Sequence, residues 1–229
     1  MKLVFIDIDN TLLDFDECVK QAMQSGLQKY GLKKYENYMF DVFTKTNNKL
    51  WQEIERGKLS LENLEDLRWN SIFDEIGVAF DGREFEKYFR EFLFESAIPI
   101  AGAHELLDYL KSKYVLCAAS NGPYEQQLHR LELANMKGYF SQIFVSEKIG
   151  ASKPSEVFFK KAFDILYNNS EEHFSAEDSI IIGDSLSSDI AGGKQYGMKT
   201  CLFSRNKDFK EHEAADYTIE SLEQIKDLL

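Results

Sequence analysis

The sequence predicts an α/β protein, in which a Rossmann-like parallel sheet is covered by helices on both faces and carries an all-helical insertion. Two observations support this fold class. After Pro99, short apolar runs alternate with segments of helical periodicity, an order that is typical of a parallel sheet. Between the first apolar run and Pro99, the chain shows helical periodicity and contains no proline.

The first predicted strand spans residues 2–6, and the helical insertion follows it. We expect two domains, in which residues 1–15 with 97–229 form the core and residues 16–96 form the inserted helical domain. The aromatic residues of the insertion are expected mostly to fill its interior. Apolar residues recur there at helical intervals in two runs, Leu50, Ile54, Leu61, Leu64 and Leu67, then Phe85, Tyr88, Phe89 and Phe92.

The elements after the insertion follow from the same two periodicities. Because strands and helices alternate, the strands are expected to run parallel, with their carboxyl ends at one edge of the sheet. Strands are predicted over residues 114–119, 142–145, 179–182 and 199–203. Helices are predicted over residues 103–113, 124–136, 155–167, 187–196 and 221–229.

The composition argues against two classes of function. A formal net charge of -12 without clustered Lys and Arg argues against a nucleic-acid polymer as partner. No segment approaches the roughly 20 apolar residues of a membrane span, and no signal peptide is recognisable, so no membrane role is expected. The cysteines Cys18, Cys117 and Cys201 have neither pairing nor zinc spacing, which predicts reduced thiols and a cytoplasmic protein.

Polar residues stand where the predicted strands end. Asp7 and Asp9 follow the first strand, and a carboxylate at the edge of an apolar core is costly unless something pairs with it. A metal ion, or a phosphoryl group carried by a metal, explains two carboxylates at this place. Further polar groups follow the later strands: Ser120-Asn121-Gly122, Lys153-Pro154 and Gly183-Asp184-Ser185-Leu186-Ser187-Ser188-Asp189.

Taken singly, each of these groups has a structural explanation. An aspartate at a strand end often caps the next helix, and Ser-Asn-Gly is common in turns. Lys-Pro suits the start of a helix. The ordered combination of all four groups in a strand–helix context favours a catalytic site.

The four groups resemble the four motifs of the haloacid dehalogenase-like hydrolase superfamily. The order and spacing of the motifs match along the whole core, and the insertion after the first motif resembles the helical cap of that superfamily. The resemblance implies phosphoryl transfer through a covalent aspartyl-phosphate, with Mg²⁺ as the cofactor. In this chain the motifs are Asp7-x-Asp9-x-Thr11, Ser120-Asn121, Lys153-Pro154 and Gly183-Asp184-x4-Asp189.

The resemblance implies different roles for the carboxylates. Asp7 is expected to attack phosphorus and to bind Mg²⁺, together with Asp184 and the backbone carbonyl of Asp9. The side chain of Asp9 is expected to be the general acid/base, which protonates the leaving oxygen and then takes a proton from the hydrolytic water. Asp189 is expected to act beside the metal, through water or by pairing with Lys153.

The remaining motif residues are expected to hold the phosphoryl group. The Ser120 hydroxyl and the backbone N–H of Asn121 would contact its oxygens, and Thr11 and Gly122 belong to the same set of substrate-binding residues. Lys153 is expected to act in catalysis by offsetting the negative charge of the phosphate and of Asp7.

A second resemblance concerns the substrate. The stretch Asn47-Asn48-Lys49-Leu50-Trp51, followed by Gly57 and Arg68, resembles the bacterial pyrimidine-type 5′-nucleotidases, as does Ser120-Asn121-Gly122. It implies a nucleoside 5′-monophosphate as substrate, with the cap closing over the site. Asn47, Trp51 and Arg68 are candidate substrate contacts, although an arginine in a helix is more often a solvated or ion-paired surface residue.

Other functions stay open at this point. The same chemistry could act on a sugar phosphate or run as a phosphomutase. A dehalogenase is disfavoured, because dehalogenases of the superfamily lack the second aspartate of the first motif, here Asp9. A non-enzymatic phospho-receiver is disfavoured because receivers are shorter and lack the insertion. The expected partner is a small phosphorylated metabolite, and the protein is expected to be a monomer or a dimer.

Overall fold

The structure is a computed structural model that describes residues 1–169, 173–205 and 214–229. The chain divides into two compact units. Met1–Asp14 with Ala97–Leu229 form the first, called the core unit, and Phe15–Ser96 form the second, called the helical unit.

The core unit contains one sheet of six strands. Numbered along the chain, the strands lie in the order 3-2-1-4-5-6, and every neighbouring pair is parallel. The predicted α/β class with a parallel sheet is therefore confirmed. The strands are β1 (Leu3–Ile6), β2 (Val115–Ser120), β3 (Gln142–Val145), β4 (Ser179–Gly183), β5 (Lys199–Phe203) and β6 (Tyr217–Ile219).

The described part of the helical unit forms four helices around an aromatic core. Trp69 is fully buried, and its ring centroid lies 5.6, 4.4 and 5.1 Å from those of Phe43, Phe85 and Phe89. Aromatic side chains therefore build this core, as expected for most of them, whereas Leu67 is exposed despite its place in the apolar pattern. The helices are α1 (Phe15–Lys29), α2 (Asn37–Glu55), α3 (Leu61–Ile76) and α4 (Gly82–Phe94).

Helices cover both faces of the sheet in the core unit. Val4 and Ile6 pack on one face with the helices that begin at Ala103 and Tyr124, whereas Leu3 and Phe5 pack on the other face with the helix that begins at Glu156. Because both faces are covered, every residue of β1 is buried and apolar. The helices are α5 (Ala103–Lys111), α6 (Tyr124–Leu133), α7 (Ser146–Ile149), α8 (Glu156–Asn169) and α9 (Ala191–Gln195).

Several elements differ from the sequence prediction. The strand β6 and the helix α7 were not predicted, because β6 has only three residues with a threonine between Tyr217 and Ile219, and the single turn of α7 shows no helical period. The predicted helix 187–196 is a π-helical turn, Leu186–Ile190, which continues into α9. The predicted helix 221–229 is a shorter 3₁₀ helix, Leu222–Asp227, with a capping box at Ser221. Across the described ranges, none of the helices combines the length and apolar composition that crossing a membrane requires.

Candidate active site

Asp7 directly follows the central strand β1, which lies between β2 and β4. Ile6 is level with Ala118 of β2 and with Ile182 of β4. The backbone N–H of Asp7 donates to the carbonyl of Ile182 at 2.9 Å. The parallel register therefore brings the carboxyl ends of β1, β2 and β4 to the same edge of the sheet, where ligands bind in such folds.

Lys153 reaches this edge from the segment between α7 and α8. Its ammonium group is buried and donates to the Asp7 carboxylate at 2.7 Å, the Asp189 carboxylate at 2.6 Å and the Ala119 carbonyl at 2.6 Å. These three acceptors match the three N–H donors of an ammonium group. The sequence left two roles open for Asp189, and the structure shows the one in which Asp189 pairs with Lys153.

Burial and charge shift the pKa values of Asp7 and Lys153. Burial raises the pKa of Asp7 to about 7, against the lowering effect of Lys153, and the negative charges of Asp189 and Asp9 add to the rise. Burial would lower the pKa of Lys153, but the attraction of Asp189 and Asp7 outweighs it and raises this pKa. The Lys153 ammonium group therefore stays charged. Its attraction does not fully compensate the free-energy cost of burying an ionised Asp7 carboxylate.

The carboxylates at this edge fit a divalent cation. Asp7, Asp184 and Asp189 each offer an oxygen, and these oxygens lie within 4.8 Å of one another. Mg²⁺ prefers carboxylate and carbonyl oxygens and keeps several waters, and a nearby cation would favour the ionised form of Asp7. Asp189 already accepts from Lys153 and from the N–H of Ser185 at 3.1 Å. A direct bond from Asp189 to the metal would compete with both.

The Asp9 carboxylate is paired with two side chains that the sequence reasoning missed. Arg130 donates to Oδ1 at 2.5 Å, and Gln127 donates to Oδ2 at 2.6 Å. Both donors lie on α6, three residues apart and therefore on one face of the helix. This spacing, on the helix that directly follows Ser120-Asn121-Gly122, was the available signal.

Ser120, Asn121 and Gly122 form the turn at the end of β2. The side-chain Nδ2 of Asn121 donates to the Lys153 carbonyl at 2.9 Å, and its Oδ1 accepts from the Lys153 N–H at 2.9 Å. Asn121 thus holds the segment that carries Lys153, a role the sequence did not predict. The Gly122 N–H donates to Ser120 Oγ at 3.1 Å. The hydroxyl of Thr11 is buried, and it has no hydrogen-bond partner within the described ranges.

The candidate substrate contacts of the insertion lie in the helical unit. Arg68 of α3 is buried, and its guanidinium donates twice to Glu86 of α4 and once to Asn47 of α2 at 3.1 Å. The alternative of an ion-paired surface residue is therefore wrong about the surface location, whereas the ion pair is present. Trp51, one turn after Asn47 on α2, is partly exposed. Contact of these side chains with substrate stays a prediction from the sequence.

Comparison with known proteins identifies the class. The sequence profile of the haloacid dehalogenase-like hydrolases matches residues 4–203. The chain belongs to this family, and the predicted membership is confirmed. Together with its relatives, the family defines the protein as a phosphomonoester hydrolase.

Several relatives match nearly the whole chain. The pyrimidine 5′-nucleotidase PynA of Streptococcus pneumoniae is 32% identical over 100% of this chain and 94% of its own length. The pyrimidine 5′-nucleotidase YjjG of Escherichia coli is 26% identical over 99% of this chain and 96% of its own. Among solved structures, the magnesium-bound HAD-hydrolase YfnB of Bacillus subtilis is 32% identical, with a TM-score of 0.89 over 100% of this chain and 98% of that chain.

Gly183, the last residue of β4, leaves room for the Asp189 side chain. A Cβ atom at this position would lie 2.2 Å from Asp189 Oδ2 and 2.4 Å from Asp189 Cγ. We expect Gly183→Ala to displace Asp189 from Lys153 and to lower Mg²⁺ affinity or activity by about 10–100-fold. Initial rates of phosphate release over a Mg²⁺ titration measure this effect. Gly138→Ala is the control, because nothing lies within 4 Å of its added Cβ; equal rates in the two variants would contradict the prediction.

Proposed function

We propose that this protein is a Mg²⁺-dependent phosphatase that hydrolyses a nucleoside 5′-monophosphate through an aspartyl-phosphate intermediate. The observation that carries the chemistry is the buried ammonium group of Lys153, bonded to both Asp7 and Asp189. It holds a carboxylate beside a fixed positive charge at the edge of the sheet where ligands bind. A positive charge at this place reduces the repulsion between the carboxylate and a phosphate anion that it attacks.

In the first step, an oxygen of Asp7 forms a bond to phosphorus while the bond from phosphorus to the leaving oxygen breaks. Asp9 gives its proton to that oxygen, so the nucleoside leaves as a neutral alcohol. The Ser120 hydroxyl and the Asn121 backbone N–H hold the phosphoryl oxygens. Lys153, 2.7 Å from Asp7, offsets the negative charge that the two reacting anions bring together.

In the second step, a water molecule attacks the phosphorus of the aspartyl-phosphate, and the phosphorus–oxygen bond to Asp7 breaks. Asp9 takes a proton from this water, and inorganic phosphate leaves. Asp9 is then protonated again and Asp7 is free, so the cycle can repeat. General acid/base help of this kind is worth about 10²–10⁴-fold in rate.

The charge balance supports a metal cofactor. The cluster of Asp7, Asp184 and Asp189 brings three negative charges and the phosphate dianion brings two more, against one positive charge on Lys153. Two anions repel each other strongly in a partly dry site. Asp7, Asp184 and the backbone carbonyl of Asp9 would hold a Mg²⁺ ion, whose positive charge would reduce this repulsion.

The choice of a nucleoside monophosphate is supported by the relatives rather than by the site. Two of them are named pyrimidine 5′-nucleotidases, and each matches at least 99% of this chain. We therefore keep Asn47, Trp51 and Arg68 as proposed substrate contacts, to be tested once the substrate is known.

A substrate panel tests the proposal. Phosphate release would be measured with Mg²⁺ from UMP, CMP, dTMP and AMP and from several sugar phosphates. We expect a kcat/KM for at least one nucleoside monophosphate about 10-fold or more above every sugar phosphate, because hydrogen-bonding groups in a site select strongly for their partners. Activity should disappear with EDTA and return with Mg²⁺.

The panel also separates the alternatives. A preference for sugar phosphates would overturn the nucleotidase assignment and leave the phosphatase chemistry in place. Release of one equivalent of product followed by no turnover would instead indicate a phospho-receiver. Activity that is unchanged by EDTA would contradict the metal requirement.

A further inference from the structure

Gln127 and Arg130 are two polar side chains of α6 that are completely buried. Large polar side chains are rarely buried completely unless their hydrogen bonds are satisfied. Both donate to the Asp9 carboxylate, Gln127 at 2.6 Å and Arg130 at 2.5 Å. All three residues belong to the core unit.

The hydrogen bonds determine which way the Gln127 amide points. Arg130 Nη1 lies 3.3 Å from Gln127 Oε1, and a guanidinium group can only donate. The amide oxygen must therefore face Arg130, and the amide nitrogen must face away from it. The two hydrogens of Nε2 then match two acceptors, Asp9 Oδ2 at 2.6 Å and Ser120 Oγ at 2.8 Å.

The same contacts determine what the Ser120 hydroxyl can do. Its oxygen accepts from Gln127 Nε2 at 2.8 Å and from the Gly122 N–H at 3.1 Å. A hydroxyl has two lone pairs and one hydrogen. Both lone pairs of the hydroxyl oxygen are engaged, so only its hydrogen is left for a further hydrogen bond. Ser120 can therefore donate to an acceptor such as a phosphoryl oxygen, and it cannot accept from another donor.

We propose that Gln127 and Arg130 are positioning residues: together they hold the Asp9 carboxylate, and through Gln127 they make the Ser120 hydroxyl a donor to phosphate. The inference rests on the proposed function, in which Asp9 protonates the leaving oxygen and Ser120 binds the phosphoryl group. Gln127 connects the two groups, because its amide nitrogen donates both to Asp9, which follows β1, and to Ser120 at the end of β2.

The two side chains should have separable effects. Arg130 contacts Asp9 directly and fixes where its oxygens lie, so its loss should misplace the group that passes a proton to the leaving oxygen. The effect is one of position, because a cation beside a carboxylate favours the ionised form and does not itself promote proton donation. Gln127 contacts both Asp9 and Ser120, so its loss should also weaken the binding of the phosphoryl group itself. Substrates with different leaving groups distinguish the effect on proton donation from the effect on phosphoryl binding. The alkoxide of a nucleoside needs a proton to leave, whereas p-nitrophenolate leaves without one.

The test compares kcat/KM for p-nitrophenyl phosphate with kcat/KM for the best alkyl phosphate of the substrate panel. Arg130→Met should lower kcat/KM for the alkyl ester by about 10²-fold, which is within the range expected when general-acid catalysis is lost. The same substitution should lower kcat/KM for p-nitrophenyl phosphate by less than about 5-fold, because that leaving group needs no proton. Gln127→Glu, which keeps the shape and removes both donors, should lower both values, with the larger loss on the alkyl ester.

Three further variants keep the test independent of folding defects. Gln126→Met, on the same helix, is the matched control and should leave both values unchanged. Arg130→Lys keeps the positive charge and should recover part of the loss on the alkyl ester. Gly122→Ala leaves Asp9 and Arg130 intact, but its Cβ would lie 2.5 Å from Gln127 Nε2, so it should reproduce the Gln127→Glu pattern.

A double variant tests whether Arg130 acts through Asp9. In the Asp9→Asn background, adding Arg130→Met should cause no further selective loss on the alkyl ester. A misfolded fraction lowers the two kcat/KM values by the same factor, so their ratio reports only on the mechanism. Equal losses on both esters, or a selective loss that persists in the Asp9→Asn background, would overturn the inference and leave the proposed function standing. A wild-type protein that hydrolysed neither ester would overturn both.

Discussion

Asp7→Asn is expected to lower phosphate release by about 10⁴-fold or more, the size of loss seen when a catalytic nucleophile is removed. An amide has no anionic oxygen, so it cannot form the bond to phosphorus on which the proposed first step depends. Trace activity is measured with a coupled phosphate assay at high enzyme concentration, and trapping of a phosphorylated protein with acid should fail for this variant.

The same variant should not be less stable than the wild type. The pKa of Asp7 is raised by burial from 3.8 to about 7, so the folded protein holds this proton more tightly than the unfolded chain. Without metal, the stability of the wild type should therefore fall as pH rises from about 4 to about 7. The asparagine side chain of the variant cannot ionise, so in EDTA at pH 8 the variant should melt at the same temperature as the wild type or higher.

Asp178→Asn provides the control for this prediction. Asp178 lies just before β4, at the amino end of the strand whose carboxyl end carries the site. The same chemical change there should leave phosphate release within about 2-fold of wild type, since surface changes away from special features have small effects. Full turnover by Asp7→Asn, or loss of turnover in Asp178→Asn, would contradict the proposed mechanism.

Arg68→Met is expected to lower the free energy of unfolding of the helical unit by about 3–5 kcal/mol. Arg68 and Glu86 are paired in the interior, with side chains that are 7% and 4% exposed. Burial raises the pKa of Glu86, and Arg68 opposes that rise. Removing Arg68 leaves a buried carboxylate without its cation, so the loss of stability should be larger at pH 8 than at pH 5.

Denaturant unfolding monitored by tryptophan fluorescence measures this loss, because both tryptophans of the chain, Trp51 and Trp69, lie in the helical unit. Replacing both partners, in Arg68→Met with Glu86→Leu, should recover most of the stability, since no charge is then left unpaired.

A neighbouring ion pair offers the control for Arg68→Met. Arg90 and Glu65 also join α4 to α3, but their side chains are 48% and 37% exposed. Arg90→Met should therefore cost less than about 1 kcal/mol. Similar losses of unfolding free energy in Arg68→Met and Arg90→Met would contradict the prediction. They would mean that burial does not increase the contribution of the Arg68–Glu86 pair to stability.

Much of the core unit could be predicted from the sequence. The strands β1, β2, β4 and β5 are short apolar runs that begin and end within about one residue of their predicted bounds, because a strand buried on both faces is apolar at every position. The final helix was predicted too long, and β6 was missed, because neither has a period long enough to read.

The partners of two buried arginines, one in each unit, could not be predicted. Arg130 looks like any helical arginine in the sequence, and its partner Asp9 lies 121 residues away. The sequence around Arg68 looks the same whether this side chain faces water or a buried Glu86. In both cases the missing information is which elements become neighbours, and that depends on how whole helices and strands pack.

The family, the parallel sheet and the carboxylates at its edge could be recognised in the sequence, because Asp7, Ser120 and Asp184 stand at the ends of apolar runs that are recognisable locally. The folded structure was needed to choose the pairing of Asp189 with Lys153 over a role through water, and to find Gln127 and Arg130 beside Asp9. Hydrogen bonds act over about 3 Å, so packing selects their partners and position along the chain does not.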